Sequence, residues 1–158
     1  MMVKVIVVFF DLILIFVWWK AITTSIHALK FGQTRLRFSQ FPFKPGEWFK
    51  AEVELPPSLT GIEKAVITLR CVMEYWETRG VGKNRSRKMV HEQIWAETQE
   101  FSGAELGAWP GTLQTTFILP AGAPGTCLSA KIPIFWELEV KAAVPGVDLN
   151  QRYLVPVY

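Results

Sequence analysis

Two histidines, His27 and His91, and two cysteines, Cys71 and Cys127, are the only imidazoles and thiols in the chain. The cysteines are 56 positions apart, with no C-x-x-C pair and no paired His spacing, so no familiar zinc site can be built from them. "HEQIW", starting at His91, lacks a second His four residues on and sits in a strand-like stretch, so it is not a metalloprotease helix. Cys71 shares an apolar alternation with Leu69 and Met73, which reads as a small buried hydrophobe rather than a nucleophile. Glu52 with Glu54, and Glu137 with Glu139, are carboxylate pairs on one strand face. At a spacing of two they are expected to form a solvated face behind a core. "GVGKN" is too short for a phosphate-binding loop. No catalytic, cofactor-binding or metal-ligating residue is therefore expected, and the chain is not expected to be an enzyme.

Charge supplies two other candidates. Arg79, Lys83, Arg85, Arg87 and Lys88 place five cations within ten residues with no acid among them. Such a loop is a candidate interaction surface for anionic lipid, where each cation near a leaflet contributes roughly 1 kcal/mol, or for an acidic protein surface. The plain alternative is a solvated hairpin loop. No aromatic residue interleaves the cations, which disfavours RNA. The net charge of the chain is +3, of which Lys4, Lys20 and Lys30 against Asp11 supply +2, leaving +1 for residues 33–158. A nearly neutral domain lacks the many Lys and Arg contacts that a nucleic-acid backbone requires, and no nucleic acid is expected as partner.

Asp11 is the second candidate, because of where it lies. From Val5 to Trp19 it is the only charged residue in fifteen, and twelve of the fifteen are Val, Ile, Leu or Phe. The apolar members each favour insertion by roughly 0.3–0.6 kcal/mol against about 3 for the Asp, so the sum favours the membrane. With its flanks the segment reaches the ~20 residues that span a bilayer. Trp18, Trp19 and Lys20 form an interfacial belt with a cation that can reach the headgroups. Residues 1–24 are therefore expected to be a transmembrane anchor, 25–34 a juxtamembrane linker and 35–158 a folded domain. Asp11 is expected to be structural or a contact for a partner within the membrane, with proton transfer as the alternative. Lys20, Lys30, Arg35 and Arg37 follow the segment, which puts the domain at the cytoplasmic face of an inner (plasma) membrane. Two cysteines without a framework suit that reducing compartment. The rival is a signal peptide that releases a secreted or periplasmic ligand-binding sandwich, although no A-x-A-like site follows the Trp pair.

After residue 33 the hydrophobic period is two. Leu36 and Phe38 alternate with Arg35 and Arg37; Phe49, Ala51, Val53 and Leu55 alternate with Lys50, Glu52 and Glu54. In "KAVITLRCVMEYWE", Ala65, Ile67, Leu69, Cys71, Met73 and Tyr75 share a face. In "MVHEQIWAETQEF", Val90, Ile94 and Ala96 alternate with His91, Gln93 and Trp95. "TLQTTFIL" and a final pair of strands around "AVPGVD" complete seven. Seven mostly antiparallel strands with one apolar face each bury those faces most economically as a two-layer, immunoglobulin-like sandwich. Trp136 and Leu138 are expected at its centre. Pro156, which cannot donate to a ladder, puts the last strand at an edge.

The order of these pieces resembles the arrestin-like β-sandwich. "KPGEWFKAEVEL" leads into "AVITLRCVMEYWE", and "TTFILPAGAPGTCLSAKIPIFWELEVKAAV" carries a Phe-x-Leu-Pro strand, a Pro-bearing loop and an aromatic-x-Leu-x-Val strand. The resemblance covers roughly residues 36–157 and is similar to sandwiches at the cytoplasmic ends of bacterial inner-membrane proteins of unassigned function. It implies a fold and a non-enzymatic interaction or scaffolding role with an unidentified protein partner. Arrestins have two sandwiches in tandem and only one fits here, so their receptor-binding and phosphate-sensing residues are not carried over.

Overall fold

The computed structural model describes residues 10–22, 25, 34–55, 61–80, 85–108, 111–144 and 148–158. Residues 10–22 form a helix, α1. Seven strands follow among the described residues: β1 (Arg35–Phe38), β2 (Trp48–Glu54), β3 (Lys64–Arg79), β4 (Ser86–Ser102), then a short helix α2 (Gly103–Ala108), β5 (Thr112–Ile118), β6 (Ile134–Ala143) and β7 (Leu149–Val155). The strands pair only antiparallel, as a three-stranded sheet in the order β1-β2-β5 and a four-stranded sheet in the order β4-β3-β6-β7. The two-layer sandwich expected from the alternation is the architecture found.

The core lies where alternation put it. Phe49, Val53 and Phe117 from one sheet face Ile67, Leu69, Trp136, Leu138 and Val140 from the other, all essentially without solvent contact. Each such side chain contributes about 1.5–3 kcal/mol of burial. Polar side chains tie the layers together at both flanks. Gln99 of β4 donates through Nε2 to the Thr116 carbonyl at 2.6 Å and accepts from the Thr115 hydroxyl at 2.8 Å. Across the sandwich, the Tyr153 hydroxyl of β7 donates to Thr34 Oγ1. β7 is an edge strand, as Pro156 requires.

Two local features depart from the sequence reading. The ladder between β3 and β4 shifts register: Cys71 sits opposite Trp95, and Val72 opposite Gln93. Ile94 is the extra residue, a β-bulge that reverses which side chains face the core. Trp95 therefore turns inward, its ring 5.4 Å from that of Trp136, while Ile94 is exposed. The expected facing of Val90, Ile94 and Ala96 as one apolar row is corrected on that ground. Second, the stretch after β4, in which the period of two marks no strand, contains α2. Ser102 and Glu105 form a reciprocal cap: Glu105 accepts from the Ser102 backbone N–H at 2.7 Å and its hydroxyl at 2.8 Å, and Glu105 N–H donates to Ser102 Oγ at 3.5 Å.

The feature that matters most for function is a difference in strand length. β6 pairs with β3 only from Lys64 to Met73. Beyond that point β3 and β4 continue alone, from Glu74 opposite His91 to Arg79 opposite Ser86. This two-stranded arm projects about 20 Å past the sheet.

Candidate interaction surface

Among the described residues, Cys71, His91, Glu137 and Glu139 are committed to structure. No group of three potential metal ligands comes together. Cys71 is buried, and burial pushes its thiol up to about 11; Cys127 is exposed, and both are free. His91 pairs with Glu74 at 2.7 Å on the exposed surface of the arm. His27 lies outside the described residues. Glu137 and Glu139 do share the outer face of the four-stranded sheet, but not as a solvated pair. Glu137 holds Arg70 at 2.5 Å, while Glu139 meets Lys141 at 2.9 Å, Arg152 at 3.0 Å and Arg70 at 4.0 Å. These cations cover Glu139, which retains only 4 % of its exposure. Burial alone would raise its carboxyl; the hydrogen bonds from Lys141 and Arg152, with the charges of Lys141 and Arg70, outweigh it and hold the group below its usual range. This is a cross-strand electrostatic tie between β3, β6 and β7.

The expected anchor is described in part. In α1, from Phe10 to Ile22, every residue is exposed, including Asp11. Its exposed members are Leu, Ile, Val, Phe and Trp with little else, Trp18 and Trp19 being about two-thirds accessible at 67% and 68%. At 1.5 Å per residue the described helix is about 20 Å long. Among the described residues no helix is long and apolar enough to cross a membrane. Residues 1–9 of the expected span lie outside the described ones.

Three of the five cations, Arg79, Arg87 and Lys88, lie on strands. Arg79 ends β3, Arg85 immediately precedes β4, and Arg87 and Lys88 are its second and third residues. Lys83 lies outside the described residues. Two of the cations are engaged within the arm. Arg79 pairs with Glu77 at 2.7 Å, and the Arg87 guanidinium stacks on the Trp76 ring at 5.5 Å. The stack, the Glu74–His91 pair and the facing of Trp76 by Met89 hold two strands in register without a core beneath them. Trp76 remains 56 % exposed.

The arm is not an isolated feature of that end of the molecule. Its base is bonded to the loop before β6 through Glu74 N–H and the Pro133 carbonyl at 2.9 Å. The same end carries the isolated pairing of Phe43 with Val157, and the Thr126 N–H bond to the Val157 carbonyl. Exposed large apolar side chains gather there: Phe41 against Tyr158 with ring centroids 6.2 Å apart, Trp48 opposite Ile118, and Leu128 and Ile132 in the loop before β6. Ile94 and Leu154 lie midway along the strands. The other end, with α2, Lys64, Ala143 and Asp148, shows no exposed large apolar side chain among the described residues. Alternation cannot reveal this asymmetry, because it depends on which strand ends coincide in space.

No protein-family model matches the chain, and no curated protein matches it in sequence. Among solved structures it is similar to Spo0M, a sporulation control protein from Bacillus subtilis, at 15% identity and a TM-score of 0.46, over 79% of this chain and 48% of that one. The chain thus spans about half the length of the structure it matches. At that identity and score the likeness says nothing of what this chain does.

Proposed function

We propose that the chain is a membrane-anchored, non-enzymatic interaction or scaffolding module that presents one arrestin-like sandwich at the cytoplasmic face of the membrane. The observation that carries this reading is α1: a helix apolar over nearly its whole length and exposed on every side. Exposed apolar area of that kind is unfavourable in water by roughly 25 cal/mol per Å² and is relieved by a hydrocarbon surrounding. The apolar run before residue 10 supplies the length that the described helix lacks. Lys20, Lys30, Arg35 and Arg37 support the cytoplasmic orientation, and two free thiols are in keeping with it.

The reading is tested by alkaline extraction of membranes that contain the full chain. The chain is expected to stay with the lipid, and Leu14→Asp with Phe16→Asp, at about 3 kcal/mol for each central Asp, is expected to release it. A mature amino terminus beginning after Trp19, with the chain in a soluble exported fraction, would replace the anchor with a cleaved signal. An export-dependent reporter fused after Tyr158 should remain inactive.

A further inference from the structure

We infer that the arm end of the sandwich is the docking surface for a protein partner that presents acidic groups around an apolar contact. The inference rests on the reading of the chain as an interaction module and gives that module its working face. Three independent observations converge on this end. The first is composition. Trp76 on the arm, and Phe41, Trp48 and Tyr158 at the same end of the sandwich, are exposed, whereas the opposite end of the sandwich shows no large apolar side chain to solvent among the described residues. Trp, Tyr, Phe, Met and Arg are the residue types that dominate the buried centres of protein interfaces, and here Trp76, Met89 and Arg87 share one face of the arm.

The second observation is charge. The acids of the arm are already used: Glu74 holds His91 and Glu77 holds Arg79. Arg85 and Lys88, by contrast, make no ion pair among the described residues, and Arg87 is held by an aromatic ring rather than by a carboxylate. The surplus is positive and rims apolar side chains, so the complementary surface is acidic at its rim.

The third is direction, which separates a protein from a lipid surface. The Thr34 hydroxyl meets Tyr153, which lies opposite Leu138, itself opposite Leu69. From that level β1 leads toward Phe43 and the arm end, while β3 has ten further residues to run before Arg79, about 33 Å. Within the described domain the chain therefore runs from Thr34 toward the arm end. With an anchor preceding Thr34, the arm tip lies about that far beyond the level at which the described domain begins, where a protein is met more readily than a leaflet.

The test uses the full chain in its cells of origin, with a photoreactive benzoyl-phenylalanine in place of Trp76 or Tyr158, and in place of Asn150 at the opposite end as the reference. Expected are protein adducts from positions 76 and 158 and none from 150. The cross-linked peptide should be rich in Asp and Glu, and yield should fall about tenfold when Arg85→Gln, Arg87→Gln and Lys88→Gln are combined. Lipid adducts from 76 and 158 would overturn the inference in favour of a leaflet contact. Equal protein adducts from 150, adducts indifferent to the three substitutions, or no adducts from 76 and 158 would each overturn it as well. The same cells are fractionated in parallel, so the two readings fail separately. Adducts from a chain lost from the membrane fraction would leave this surface standing without the anchor, whereas a membrane-held chain with no adducts removes the surface alone.

Discussion

The indole N–H of Trp136 donates to the Pro124 carbonyl at 2.8 Å, so the most buried aromatic of the core also fixes the loop that follows β5. Two separable contributions follow from one residue. Trp136→Phe keeps most of the apolar contact but strands a carbonyl, and should cost about 1–3 kcal/mol. Trp136→Ala also opens a cavity beneath Trp95 and should cost about 3–5 kcal/mol. Thermal or denaturant melting of the full chain in detergent orders the two; equal losses would show that the hydrogen bond, and not the packing, dominates.

The two thiols should behave oppositely. Cys71 is buried with its thiol pushed up to about 11, and so carries almost no thiolate at neutral pH, whereas Cys127 is exposed. Intact-mass analysis after alkylation of the native chain should show one added group, assigned to Cys127, and a second only after unfolding. Rapid double labelling under native conditions would mean that β3 opens locally.

Stability should carry an acid signature from Glu139. Its folded carboxyl is held below the ordinary value of 4.5, so its contribution is fully present above about pH 4.5 and is lost as the pH falls through the lower folded value. Glu139→Gln should cost about 2 kcal/mol at neutral pH, where Lys141 and Arg152 lose their acceptor. The difference between wild type and variant should shrink on acidification. Melting curves from pH 7 to pH 3 check it, and a constant difference would assign the loss to packing.

Replacing Arg79, Arg85, Arg87 and Lys88 together by Gln should leave the melting of the sandwich nearly unchanged. The largest single contribution removed is the Arg87–Trp76 stack, about 0.5–1 kcal/mol at an exposed site, and it lies outside the core. A large drop in melting temperature would show that the arm is folded cooperatively with the sheets.

Much of this architecture is legible in the sequence, because one buried face per strand writes a period of two into it. All seven strands and the central place of Trp136 and Leu138 follow from that period alone. The facing of Trp95 does not, since a single extra residue at Ile94 inverts the pattern and looks like ordinary alternation beforehand. The helix α2 has a visible signal in Ser102 and Glu105, an S-x-x-E cap, but its six residues are too few to show a helical period. The five cations are conspicuous, yet their meaning is not. Only the end of β6 opposite Met73 reveals that Arg79, Arg87 and Lys88 stand on a projecting arm, and only Glu77 and Trp76 show that two of the cations are occupied.

The bulge at Ile94 also bears on what happens when copies of the chain are crowded side by side. β4 is an edge strand of 17 residues, long enough to template a growing intermolecular sheet. Ile94 breaks its regular repeat near the middle, and Glu92 and Glu97, opposite Met73 and Leu69, set carboxylates on the core-side face of that edge. A neighbour attempting to zip along β4 would meet a kink and two charges to be stripped of water, so the strand resists polymerisation while staying long enough to carry the arm. Deleting Ile94 would straighten the edge and is expected to turn a well-behaved chain into one that forms thioflavin-positive fibres.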